Sequence, residues 1–145
     1  MTRLLRAGTI LASCIVFGPA AGALEPDAVI ALGKAEYMEN CAACHGASAK
    51  GYGPAADAMA ERPSDLTAIS AEFGGTFPTE HIYSVIDGRE SISPHGDRDM
   101  PIWGYRYWDA ARERAQEVHL DVDAAAMVHG RITALVAYLE SIQTD

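Results

Sequence analysis

Alternation of apolar and polar side chains, the mark of a half-buried strand, is almost missing from this sequence, so a sheet has little to build on. There is also no internal repeat and no low-complexity tract. Basic residues are few: 11 Lys and Arg stand against 20 Asp and Glu, for a formal net charge of -9. Gripping a phosphate backbone requires a basic surface, so nucleic acid is excluded as a partner class. Uninterrupted apolar runs are short as well. The longest candidate is broken by Gly8, Gly18, Pro19 and Gly22, and falls below the roughly 18 residues that a membrane span needs. Cysteine is limited to Cys14, Cys41 and Cys44.

The beginning of the chain has a different character. Arg3 and Arg6 form a basic start, residues 7 to 17 are apolar, and Ala21-Gly22-Ala23 offers small residues suited to cleavage. This is the pattern of an export signal, so residues 1–23 are expected to be removed and the protein to reach the periplasm. Leu11-Ala12-Ser13-Cys14 resembles a lipoprotein processing box, and membrane attachment is expected only if Cys14 is lipidated. Loss of Arg3 and Arg6 leaves 9 basic against 20 acidic residues, a net charge of -11. That acidity keeps the protein soluble, and it also favours encounters with partners that carry basic docking surfaces. Residues 24–145 make one domain, small for a core built from side chains alone, and a large apolar cofactor would relieve the shortage.

Two cysteines remain, in Cys41-Ala42-Ala43-Cys44-His45. In an oxidising compartment such a pair could be a disulfide, a thiol-exchange motif, half a zinc site or a haem attachment site. Structural zinc wants four ligands, and His81, His95, His119 and His129 supply no second pair at matched spacing. Thiol exchange wants a preceding strand and a βαβ scaffold. Haem attachment needs only what is present. Residues three apart on a helix share a face, so Cys41 and Cys44 reach the two vinyl groups on one porphyrin edge while His45 turns its imidazole to the iron.

Helical periodicity covers most of the rest, and the expected fold is all-α. A first helix starts near Pro26 and runs through Val29, Leu32, Ala35 and Tyr37 to the cysteines. Residues 46 to 63 read as a wrapping loop. Thr67 is positioned to cap residues 68 to 73 and Thr79 to cap residues 80 to 87, with Gly88 as the stop. Residues 89 to 104 hold Pro94, Gly96, Pro101 and Gly104 and read as an ordered non-helical loop. Residues 110 to 118 form a charged surface helix. Asp123 caps the last helix, whose apolar face is Ile132, Leu135, Val136, Leu139 and Ile142.

With these residues in view the chain resembles a class I c-type cytochrome of the bacterial, exported, mono-haem kind. The likeness rests on Cys41-Ala42-Ala43-Cys44-His45, Gly51-Tyr52-Gly53-Pro54, Asp99-Met100-Pro101-Ile102-Trp103-Gly104 and Leu135-Val136-Ala137-Tyr138-Leu139. It implies one covalent haem c per chain, held by Cys41, Cys44 and His45, with Met100 as the second axial ligand. A residue before proline is pushed toward extended backbone, which suits Met100 to a loop, and a thioether favours reduced iron. His95, five residues earlier, is the rival ligand. Pro54 matches the family proline whose carbonyl accepts the ring N–H of the proximal histidine.

Gly33, Tyr37, Leu135, Tyr138 and Leu139 resemble the family's crossing of first and last helices. Met38, Met59 and Met127 read as core filling. Trp103 and Tyr52 are candidate haem neighbours, and Arg62, Arg89 and Arg98 candidate partners of the propionates. Residues 105 to 125 depart from a minimal family member, and their aromatics among charges suit a docking patch.

The implied function is periplasmic single-electron transfer without a small-molecule substrate, as a soluble carrier or as the electron-accepting cytochrome subunit of a dehydrogenase or oxidase. The contrasting expectation is a haem enzyme, or a gas or peroxide sensor, with a displaceable ligand. The mass of the secreted protein tests the processing. It should equal residues 24–145 plus one haem, whereas a lipid-bearing chain would be cleaved before Cys14 and anchored to the membrane.

Overall fold

The computed structural model describes residues 25–89, 101–118 and 123–144. The expected signal segment lies outside them, Cys14 included, and so do His95, Arg98, Met100 and His119. Among the described residues the fold is all-α, with no strand. Its helices are α1 (Pro26–Asn40), α2 (Ala42–His45), α3 (Ile69–Glu72), α4 (Thr79–Asp87), α5 (Trp103–Val118) and α6 (Ala124–Ser141), and a 3-10 turn spans Ala56–Ala58.

Helix α6 is the hub, and α1, α4 and α5 all pack on it. Asp123 caps it by accepting the backbone N–H of Ala125 at 2.8 Å, as the sequence suggested. Because three helices surround it, the buried arc is wide and takes in Val128, Ile132, Leu135, Val136, Tyr138 and Leu139. Its closest neighbour is α1, which opens on Pro26, where no backbone donor is needed.

The two helices cross at Gly33, where any Cβ would collide with the backbone carbonyl of Ala134 and with Tyr138. Tyr37, fully buried, stacks on Tyr138 with ring centres 5.3 Å apart. The expected apolar face of α1 is rotated in the structure. Leu32 is 52% exposed and Ala35 is exposed, while Ile30, Gly33, Tyr37 and Cys41 turn inward. Close approach is possible only along the row containing the glycine, and that row outweighs the larger side chain of Leu32.

Helix α5 begins earlier than its sequence suggested. Residues 103 and 104, read as loop, form its first turn, and Trp103, Tyr107 and Ala111 recur at four-residue steps as buried contacts. Gly104 signals no loop here. A side chain at that position would run into the backbone of Asp87, so the glycine lets α5 pass close to the end of α4.

Two expected caps also differ. Thr79 is the first residue of α4, with Pro78 at the capping position, and the Thr67 hydroxyl donates to Asp65 Oδ1 at 2.6 Å instead of closing α3. Gly88 ends α4 in the left-handed region, φ 85°, as expected.

One polar contact ties three helices together. Arg131 of α6 donates to both carboxylate oxygens of Glu36 on α1, at 3.0 and 2.9 Å, and its guanidinium lies 4.2 Å from the ring centre of Tyr107 on α5. Two-pronged pairing in a partly buried site holds orientation as well as charge. At the crossing, Gly33→Ala should lower the stability of the folded protein by about 1–3 kcal/mol, because the obstacle is backbone and cannot change rotamer. Urea unfolding measures it, and a midpoint equal to that of the unaltered protein would show that the helices are not in such close contact.

Candidate cofactor site

The cysteine pair sits where α1 hands over to α2. Cys41 ends α1, its N–H donating to the Tyr37 carbonyl at 2.9 Å, and its own carbonyl then accepts from Cys44 and His45 at 3.1 and 2.9 Å. This single turn aligns the two sulfurs and the imidazole. Neither cysteine forms a disulfide. All three side chains line one cavity of about 450 Å³, within the roughly 300–1,000 Å³ typical of cofactor sites.

The walls come from every part of the fold. Leu66 and Ile69 close one side, Ile82, Val85 and Ile86 of α4 another, and Leu135 and Leu139 of α6 form the back. Trp103, 8% exposed, adds an aromatic edge from α5. His81 also lines the space, its ring 5.1 Å from that of Phe73. An apolar hollow with thiols and an imidazole together on its lining fits a porphyrin attached through two thioethers.

Burial above all, with the charge of Glu36 and the neighbouring Cys44 adding to it, pushes the Cys41 thiol up to about 12. Burial likewise raises the Tyr37 hydroxyl above its ordinary value. That hydroxyl donates to the Gly46 carbonyl at 2.6 Å and so ties α1 to the loop behind His45.

His45 is 6% exposed, and its Nδ1 lies 3.1 Å from the backbone carbonyl of Ser64. The family resemblance implies Pro54 for this carbonyl, but Pro54 is exposed and the carbonyl beside Nδ1 is that of Ser64. Pro63, buried next to Ser64, was the available signal. A carbonyl partner of this kind fixes the tautomer and the ring plane of the histidine.

Other expected residues divide. Trp103 reaches the cavity, but Tyr52 is exposed with Arg62 stacked 4.4 Å from its ring centre, and Arg89 pairs with Asp87 at 2.6 Å. Met127 packs against the core as expected, Met38 is 47% exposed on α1, and Met59 lines the cavity. Arg106, expected only as part of the 105 to 125 docking patch, lines it too, with its guanidinium 5.2 Å from the ring centre of Trp103. The signal was its three-residue step from Trp103, invisible while residue 103 was read as loop.

The family model described as Cytochrome c matches residues 30–143. No curated protein and no solved structure matches the chain significantly. Thioether attachment can be counted directly. Cys41→Ala and Cys44→Ala should each leave the haem held by one bond and resistant to acidic organic solvent, and only the double variant should release it. Full release from either single variant would refute attachment at both sulfurs.

Proposed function

This chain belongs to the cytochrome c family and carries covalently bound haem c, and on that premise we propose that it is a periplasmic single-electron carrier with His45 and Met100 as axial ligands. The observation that carries the reading is the joint lining of one apolar cavity by two unpaired cysteines and a buried histidine. When bound, the haem iron accepts and returns one electron. The protein keeps the surroundings of that exchange constant. His45 is held by a backbone carbonyl, aliphatic walls from α4 and α6 exclude water, and the packed core resists rearrangement between oxidation states.

Pro101 and Trp103 line the cavity, and their nearness in sequence to Met100 supports it as the second ligand. A thioether stabilises reduced iron relative to a second imidazole. The protein therefore acts as a ready electron acceptor. Export is supported by the basic and apolar pattern of residues 1–23.

A role as the cytochrome subunit of a larger oxidoreductase is favoured by Tyr105 and Trp108. Both are exposed on α5, the helix that also sends Trp103 and Arg106 into the cavity. Aromatic anchors next to a cofactor wall suit a docking surface for a redox partner. Met100→Ala tests the ligand assignment. Spectra of the altered protein should show a vacated axial position, with carbon monoxide binding to the ferrous form and a lowered potential. Unchanged spectra in Met100→Ala, together with altered spectra in His95→Ala, would assign the position to His95.

A further inference from the structure

We infer that Gln143 and Thr144, beyond the C-terminal end of α6, are positioning residues for His45 and set the strength of the hydrogen bond between its Nδ1 and the Ser64 carbonyl. The inference rests on His45 being the axial ligand. Its starting point is the Ser64 carbonyl, 3.1 Å from His45 Nδ1. A backbone carbonyl has no rotamer of its own, so its place is decided by whatever fixes the chain around it. Residues 63 to 68 belong to no helix. Their position must come from specific bonds.

Some of these bonds are local. Asp65 Oδ1 accepts the backbone N–H of Thr67 at 2.9 Å and the Thr67 hydroxyl at 2.6 Å, and the Leu66 N–H donates to the Ala49 carbonyl at 2.7 Å. The tie to the rest of the fold comes from the far end of the chain. Gln143 Nε2 donates to the Leu66 carbonyl at 2.8 Å and to the Leu139 carbonyl at 2.7 Å, while Gln143 Oε1 accepts the Ser70 N–H at 2.8 Å. Thr144 donates to the Thr67 carbonyl through its backbone at 2.9 Å and through its hydroxyl at 3.1 Å.

One side chain thus bridges α6 to both ends of a strap that begins two residues after Ser64. Leu139, which shares the Gln143 amide, is itself a cavity wall. The carbonyl facing the histidine and the wall facing the porphyrin are therefore referenced to the same helix end.

The consequence is electronic as well as mechanical. An imidazole that donates Nδ1–H to a well-placed carbonyl is a stronger base and a better donor to ferric iron. Loosening the strap weakens that bond, favours the ferrous state and moves the potential in the positive direction.

The holoprotein variants Gln143→Ala, Gln143→Glu and Thr144→Val test this through the midpoint potential and the exchange rate of the His45 Nδ1 proton in the ferrous protein. Gln143→Ala should shift the potential positive and speed exchange on the order of tenfold, since the lost bonds lower the cost of local opening. Gln143→Glu keeps an acceptor for Ser70 but not the donor to Leu66, and should follow Gln143→Ala. Thr144→Val, which retains the backbone bond and the fold, should shift both readouts in the same direction by less.

A potential and an exchange rate equal to those of the unaltered protein in all three, with only urea stability reduced, would overturn the inference and leave the contacts merely structural. An unaltered protein that lacks covalent haem would instead remove the functional reading itself, before any variant is compared.

Discussion

The close crossing of α1 on α6 is the constraint on which the remaining structure depends. With a glycine at the contact the two backbones meet directly, and neither helix can slide without a collision. That contact sets the direction in which α1 ends, and α1 ends in the Cys41 turn. One and five residues along α6 from the crossing partner Ala134, Leu135 and Leu139 supply the back wall of the cavity. The attachment turn and the surface opposite it are thereby held in one frame, and Glu36, Arg131 and Tyr107 extend that frame to α5.

Inside this frame the polar groups are few, and among the described residues the buried Tyr107 hydroxyl is left without a hydrogen bond. The Tyr37 hydroxyl is engaged with Gly46, and His45 faces a carbonyl. Buried polar groups are expensive unless paired, and here the pairing partners are mostly backbone atoms. Backbone partners cannot rotate away, so the polar contacts around the histidine have the rigidity of the fold itself. Rigidity of that kind suits a centre whose only change is the gain or loss of one electron.

Local features were legible in the sequence. Cys41, Cys44 and His45 stand out by their spacing read together with the export pattern ahead of them, and Asp123 and Gly88 act within a single helical turn of their own positions. Features that depend on distant partners were not. The start of α5 rests on Gly104 fitting against Asp87, which no local pattern reveals, and Leu32 lost its place to a glycine because the neighbouring helix approaches so closely. Ser64 escaped notice for a different reason. It contributes a carbonyl, and every residue has one, so only the path of the chain singles it out. Met100 and His95 lie outside the described residues, and the structure bears on them only through Pro101 and Trp103.

The pairing of Glu36 with Arg131 spans 95 residues and joins α1 to α6. Bringing such distant segments together is slow and carries the entropy of closing a long loop. Until α6 docks, the turn bearing both sulfurs lacks the wall that Leu135 and Leu139 supply, so access to those sulfurs is widest before that long loop closes.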